Sequence, residues 1–137
     1  MMKFYISAAM MLFAVVFAAT ADAAYRQTVL ASKLARGEEH VVLAVGGDST
    51  GNEDWEWVYQ TAKNLGDKFD YNVDYYLYET GKPGNWAKPK RIFSGSSTRT
   101  LVVYNCSVSG APHQYLTSEG RSIGTLFPEK PDLFITS

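Results

Sequence analysis

The apolar positions of the chain fall into short blocks of two different periods, separated by glycine and proline. Residues 25–36 carry Val29, Leu30, Ala31 and Leu34 among good helix formers and stop at Gly37. That predicts a short leading helix with glycine in the left-handed position past its end. His40 to Val45 is a compact apolar run halted by Gly46 and Gly47, the pattern of a strand covered on both faces. From Thr50 the period changes. Thr50 and Glu53 have capping-box spacing, and Glu53, Asp54 and Glu56 place acids where a helix dipole favours them. Trp55, Val58, Ala62 and Leu65 then recur every three or four residues up to Gly66, which predicts one buried helical stripe with Trp57 off it. Asn72 to Glu79 alternates as a strand, with Val73, Tyr75 and Leu77 on one face and Tyr76 and Tyr78 on the other. Residues 81–99 read as an irregular loop with one helical turn around Trp86 to Ile92. Thr100 to Asn105 is a second strand of the buried type. Residues 112–127 mix a helical Gln114-Tyr115-Leu116 with Gly120 and Gly124, and residues 131–136 predict a last strand.

Strands separated by helices favour crossover connections. The expected fold is therefore α/β: a single small domain with a mostly parallel open sheet and helices on both faces. The succession of strand, long helix, strand, basic irregular segment and strand is also similar to a thioredoxin-like layout. That alternative would lack the redox cysteines, because Gly47-Asp48-Ser49-Thr50 stands where that family carries them.

The first residues belong to a different category. Met1-Met2-Lys3, an apolar run from Phe4 to Ala19 and the small-x-small stretch Ala21-Asp22-Ala23 have the order of a secretory signal peptide. The run is shorter than the roughly 20 residues a spanning helix needs. The expectation is a signal peptide over 1–23 and one secreted domain over 24–137. Small secreted domains commonly staple a thin core with several disulfides. With Cys106 as its only cysteine, this chain has to rely on its core alone. Cys106 follows the apolar run Leu101 to Tyr104, which predicts a reduced, buried thiol and a monomer; an intermolecular disulfide is the other use open to it. Asn105-Cys106-Ser107 matches an N-glycosylation acceptor, at the end of a buried strand where it would not be reached.

Charge adds a feature that the formal net of −1 conceals. Residues 38–79 hold ten acids against Lys63 and Lys68, whereas residues 80–99 hold Lys82, Lys88, Lys90, Arg91 and Arg99 and no acid. Four of these cations surround Trp86 on a proline-stiffened segment, which could meet an anionic polymer with the indole stacking on a base or sugar. The bland reading is a solvated connector balancing the acidic half of its own domain. Trp57, Tyr76 and Tyr78 become a second candidate patch if one sheet face is open.

The loop after the first strand lies where open α/β sheets bind ligands. A phosphate cradle is disfavoured there by Asp48, Glu53, Asp54 and Glu56 and by the missing lysine. Gly47-Asp48-Ser49 after an apolar strand resembles the first block of the GDSL/SGNH esterases. That resemblance implies Ser49 as nucleophile and a histidine to activate it, usually three residues after an aspartate. The chain departs from the pattern: His40 precedes the first strand, and Gly110 stands three residues before His113. Two histidines and one distant thiol offer no zinc spacing, and the acids of 48–56 lack the form of a calcium loop. No metal or cofactor is expected. The resulting expectation is a secreted, non-catalytic interaction protein, effector-like or a binding module. It would engage a host or extracellular macromolecule through Trp86, Lys82, Lys88, Lys90, Arg91 and Trp57. The alternative is a small secreted serine hydrolase using Ser49 with His113.

Overall fold

Strand β1, His40–Gly46, and strand β4, Thr100–Asn105, are apolar at almost every position because both lie at the centre of a sheet with two covered faces. The computed structural model describes residues 28–47, 51, 53–79, 86–110 and 126–136. The order of the sheet is β3-β2-β4-β1-β5, with β2 at Asn72–Leu77, β3 at Lys90–Phe93 and β5 at Leu133–Thr136. Strands β2, β4, β1 and β5 run parallel, and β3 lies antiparallel on β2 at one edge. With two helices, α1 over 28–36 and α2 over Trp57–Phe69, this is a small α/β domain built on a mixed, mostly parallel five-stranded sheet.

Both described helices pack on the same face. Val41, Leu43, Val45, Val73, Tyr75, Leu101, Val103 and Leu133 form one core with Leu30 and Leu34 of α1 and Val58 and Ala62 of α2. The alternate residues Val42, Ala44, Val102 and Tyr104 face the other way, onto Leu126, Phe127 and the half-buried Trp86. The connection from β1 through α2 to β2 passes across β4, whereas the connection from β4 to β5 passes back across β1. Right-handed crossovers that reverse direction must use opposite faces. Leu126 and Phe127, near the end of the second connection, are accordingly found opposite α2.

The helix ends show which local signals held. Gly37, at φ +70°, closes α1: its N–H donates to Leu34 O (3.1 Å) and the Glu38 N–H to Lys33 O (3.1 Å). Helix α2 departs from expectation at both ends. It begins at Trp57, so Glu53, Asp54 and Glu56 precede it in a turn, where the Glu56 carboxylate accepts the Glu53 N–H at 2.7 Å. Trp55 therefore lies outside the helix, and instead of joining the buried stripe it is 75% exposed. Thr50 lies outside the described residues. Gly66 does not end the helix. The chain continues to Phe69, and Asp70 takes the left-handed conformation at φ 58°. Glycine at 66 serves close packing, since a Cβ there would collide with Val73 and come within 3.0 Å of the Phe93 ring.

Residues 90–93 are an edge strand, not part of an irregular loop. Pairing with β2 supplied what local propensity lacked: Val73 faces Phe93 and Tyr75 faces Lys90, with a register shift between Val73 and Asp74. Lysine, arginine and an irregular register on an outer strand discourage further strand addition. Among the described residues, no helix is long and apolar enough to cross a membrane.

Candidate interaction surface at the carboxyl end of the sheet

Because β1 and β4 are adjacent and parallel while their connections leave in opposite directions, the crevice beyond their carboxyl ends is a topological switch point. Asn105 organises it. Its fully buried amide donates to Gly51 O (2.5 Å) and Tyr75 Oη (2.6 Å), and its Oδ1 accepts the Ser107 N–H at 2.9 Å. These bonds tie the strand ends to the loop leading toward α2. Burial pushes the Tyr75 hydroxyl up to about 12. Gly51 is required at its place, since a Cβ would meet Ser107 Oγ at 2.8 Å and Val58 Cγ2 at 2.9 Å. Ser107 is 6% exposed, and its hydroxyl has no hydrogen-bond partner among the described residues. Cys106 is fully buried, with Sγ 3.1 Å from Val45 O.

Several large side chains at this end of the sheet reach solvent. Trp55 is 75% exposed, Trp57 36% and Leu77 37%, the exposed large hydrophobics among the described residues. Trp57 is thus partly presented, as its place off the helical stripe predicts. Glu53, Asp54 and Trp55 are exposed and Glu56 is half-buried, so the first indole is flanked along the chain by acids. Gln60 fixes this turn by donating from Nε2 to Asp54 O at 2.9 Å. Leu77 lies on the α2 face of β2, two residues beyond Tyr75, whose ring meets Tyr59 of α2 edge-on at 5.5 Å.

The basic segment takes a different role. Lys90 Nζ lies 2.8 Å from Asp54 Oδ2 and 5.6 Å from the centre of the Tyr59 ring. Arg91 grips Asp74 with both prongs, Nε to Oδ1 at 2.5 Å and Nη2 to Oδ2 at 3.1 Å. Arg99 lies over the Tyr71 ring at 4.9 Å, with its guanidinium 3.5 Å from an Asp70 carboxylate oxygen. Three cations of the basic stretch are thus paired with acids of the preceding acidic stretch. Lys88 is exposed and has no ion pair among the described residues. Lys82 lies outside them, as do Ser49 and His113.

Trp86 turns inward. Its ring meets Tyr104 at 5.0 Å, Tyr78 at 5.4 Å and Phe127 at 5.8 Å, and Nε1 donates to Leu126 O at 3.3 Å. Tyr76 stacks on Tyr104 at 4.9 Å in the same cluster, so this indole and these tyrosines close a core. No protein-family model matches the chain, and no curated protein or solved structure does either.

At the opposite end of the sheet, His40 Nε2 lies 2.6 Å from Glu129 Oε2, and Glu129 Oε1 accepts the Tyr104 hydroxyl at 3.0 Å. Asp132 accepts the Val42 N–H at 3.0 Å and pairs with Lys33 at 2.7 Å. These contacts anchor the return segment to β1 and α1. The sequence offered no signal for the His40–Glu129 and Val42–Asp132 contacts, because those partners are about ninety residues apart.

Proposed function

We propose that the chain is a secreted, non-catalytic interaction protein whose partner docks on the rim of the sheet's carboxyl end. The observation that carries this reading is Trp55, three-quarters exposed in the turn that precedes α2. Keeping a side chain of that size in water forgoes on the order of 2–3 kcal/mol of burial. Buried aromatic anchors dominate protein interfaces. The reading replaces Trp86 and its neighbouring cations by Trp55 and Trp57 as the contact residues, because Lys90 and Arg91 are turned to acids of their own domain. A helical cover from 112–127 over the Trp86 face would give the two-sided arrangement expected from sequence, and the proposal is independent of it.

The test is affinity capture from extracellular fluid with wild type and with Trp55→Ala/Trp57→Ala. A partner retained by wild type and lost by the variant, at unchanged circular dichroism and melting temperature, is the expected result. Equal capture by both proteins would remove this surface from consideration. The hydrolase reading has its own assay: it requires a fluorophosphonate probe to label wild type and to spare Ser49→Ala.

A further inference from the structure

We infer that the outer edge of β5 pairs with the same edge of a second copy of the chain, giving a non-covalent dimer whose sheet is continuous. The inference is independent of the Trp55 rim. Strand β5 is the last of the sheet and bonds β1 on one side only. Val45 O accepts the Cys106 N–H (2.8 Å) on the β4 side, and Val42 O accepts the Asp132 N–H (2.8 Å) on the other. Val42, Ala44 and Gly46 are therefore the β1 residues that bond β5. In a parallel ladder they reach the residues on either side of their partners, so Leu133 and Ile135 turn inward. Phe134 and Thr136 are left directing N–H and C=O away from β1. Among the described residues, no strand and no backbone hydrogen bond meets them on that side.

The opposite edge decides which strand arrives. On β3, exposed Lys90 and Arg91 and the register shift between Val73 and Asp74 resist strand addition. Strand β5 carries no charged side chain. Head-to-tail growth would place β5 on β3 and meet that guard. Pairing β5 with β5 avoids it and closes at two copies. A two-fold axis perpendicular to the sheet, between the two Phe134 residues, makes the pair antiparallel and keeps each face on its own side. Phe134 then lies opposite its copy and Leu133 opposite Ile135, so apolar side chains meet across the strands on both faces. These residues already border the two cores: Leu133 and Ile135 on the face of α1 and α2, and Phe134 on the other, 5.5 Å from the Phe127 ring. Two outward residues per copy supply few bonds, so the association is reversible and depends on concentration. Cys106 takes no part in it, and the monomer expected from the sequence is the state at low concentration.

The test is analytical ultracentrifugation of the whole protein over a dilution series, with amide hydrogen exchange at its two ends. Wild type should pass from monomer to dimer as concentration rises, with or without reducing agent. The amides of Phe134 and Thr136 should exchange more slowly in the dimer. Thr136→Pro removes one outward donor and should weaken dimerisation at least tenfold. Thr136→Ala keeps that donor and should dimerise as wild type does. Circular dichroism of the dilute variants checks the fold, and if Thr136→Pro does not fold, the exchange of the two amides in wild type decides. A wild type that stays monomeric at every concentration would overturn the inference. So would a dimer that leaves both amides as exposed as in the monomer, or one that folded Thr136→Pro forms equally well. A dimer dissolved by reducing agent would assign the contact to Cys106, and one dissolved by Trp55→Ala would assign it to the rim; either result overturns the β5 pairing.

Discussion

Asn105 shows how much can depend on one side chain. Its amide bonds Gly51, Tyr75 and Ser107 from a fully buried position. Buried partners left unsatisfied cost about 1–3 kcal/mol each. Asn105→Leu should therefore lower stability by about 3 kcal/mol, read as a fall in the urea midpoint. The same burial bars glycosylation of the folded chain at this residue. Cys106, enclosed beside it, should resist alkylation until the protein is unfolded; rapid labelling of the native state would contradict the packing described. Gly66→Ala weighs two effects against each other. Alanine favours a helix by about 1 kcal/mol, but a Cβ there meets Val73, Phe93 and the Tyr71 carbonyl. Overpacking of this kind costs about 1–3 kcal/mol, so the variant should melt at a lower temperature than wild type.

At the scale of elements, the two indoles outside α2 have exchanged the roles their surroundings suggest. Trp86, among lysines and prolines, fills the core between β4 and the return segment. Trp55, spaced as part of an amphipathic stripe, faces water because α2 starts two residues after it. Trp86→Ala should cost about 3–5 kcal/mol, whereas Trp55→Ala should change stability by no more than about 0.5 kcal/mol. Chemical denaturation of the two variants side by side would reverse the assignment if Trp55 proved the more costly. The Asp70 corner after α2 is another element-level device. Its carboxylate accepts the Ser96 N–H at 2.6 Å and the Ser96 hydroxyl at 2.8 Å, and those bonds hold its pKa below the ordinary carboxylate value. The stability gained there should fade as pH falls through that lowered value.

Across the whole molecule, alkaline pH probes both cores together. Burial raises the hydroxyl pKa of Tyr71, Tyr75 and Tyr104, with Glu129 adding to the effect at Tyr104. A tyrosine whose pKa is higher in the fold than in the unfolded chain contributes stability that is complete below its ordinary value. That contribution is lost as pH rises through the folded one. For Tyr75 the window runs from 10 to about 12. The urea midpoint should decline across it, and the phenolate absorbance of these residues should appear together with unfolding. A late absorbance rise from a protein still folded would show that the rings are accessible.

The sequence by itself determined the two central strands, the leading helix with its glycine stop, the alternation of β2 and the burial of Cys106. Each is written in residues close together in the chain, where period and propensity act directly. The tertiary structure decided the rest. Residues 90–93 became a strand because β2 offered them a ladder. The cations found acids 36 and 17 residues earlier in the chain. Trp86 was drawn into a core that exists only once Tyr78, Tyr104 and Phe127 are assembled. Trp55 was left outside because the turn at 53–56 delayed the helix. Period and propensity report which face a residue prefers within its own element. Whether that face meets another element or water depends on strand order and on contacts between distant residues, and these exist only in the folded chain.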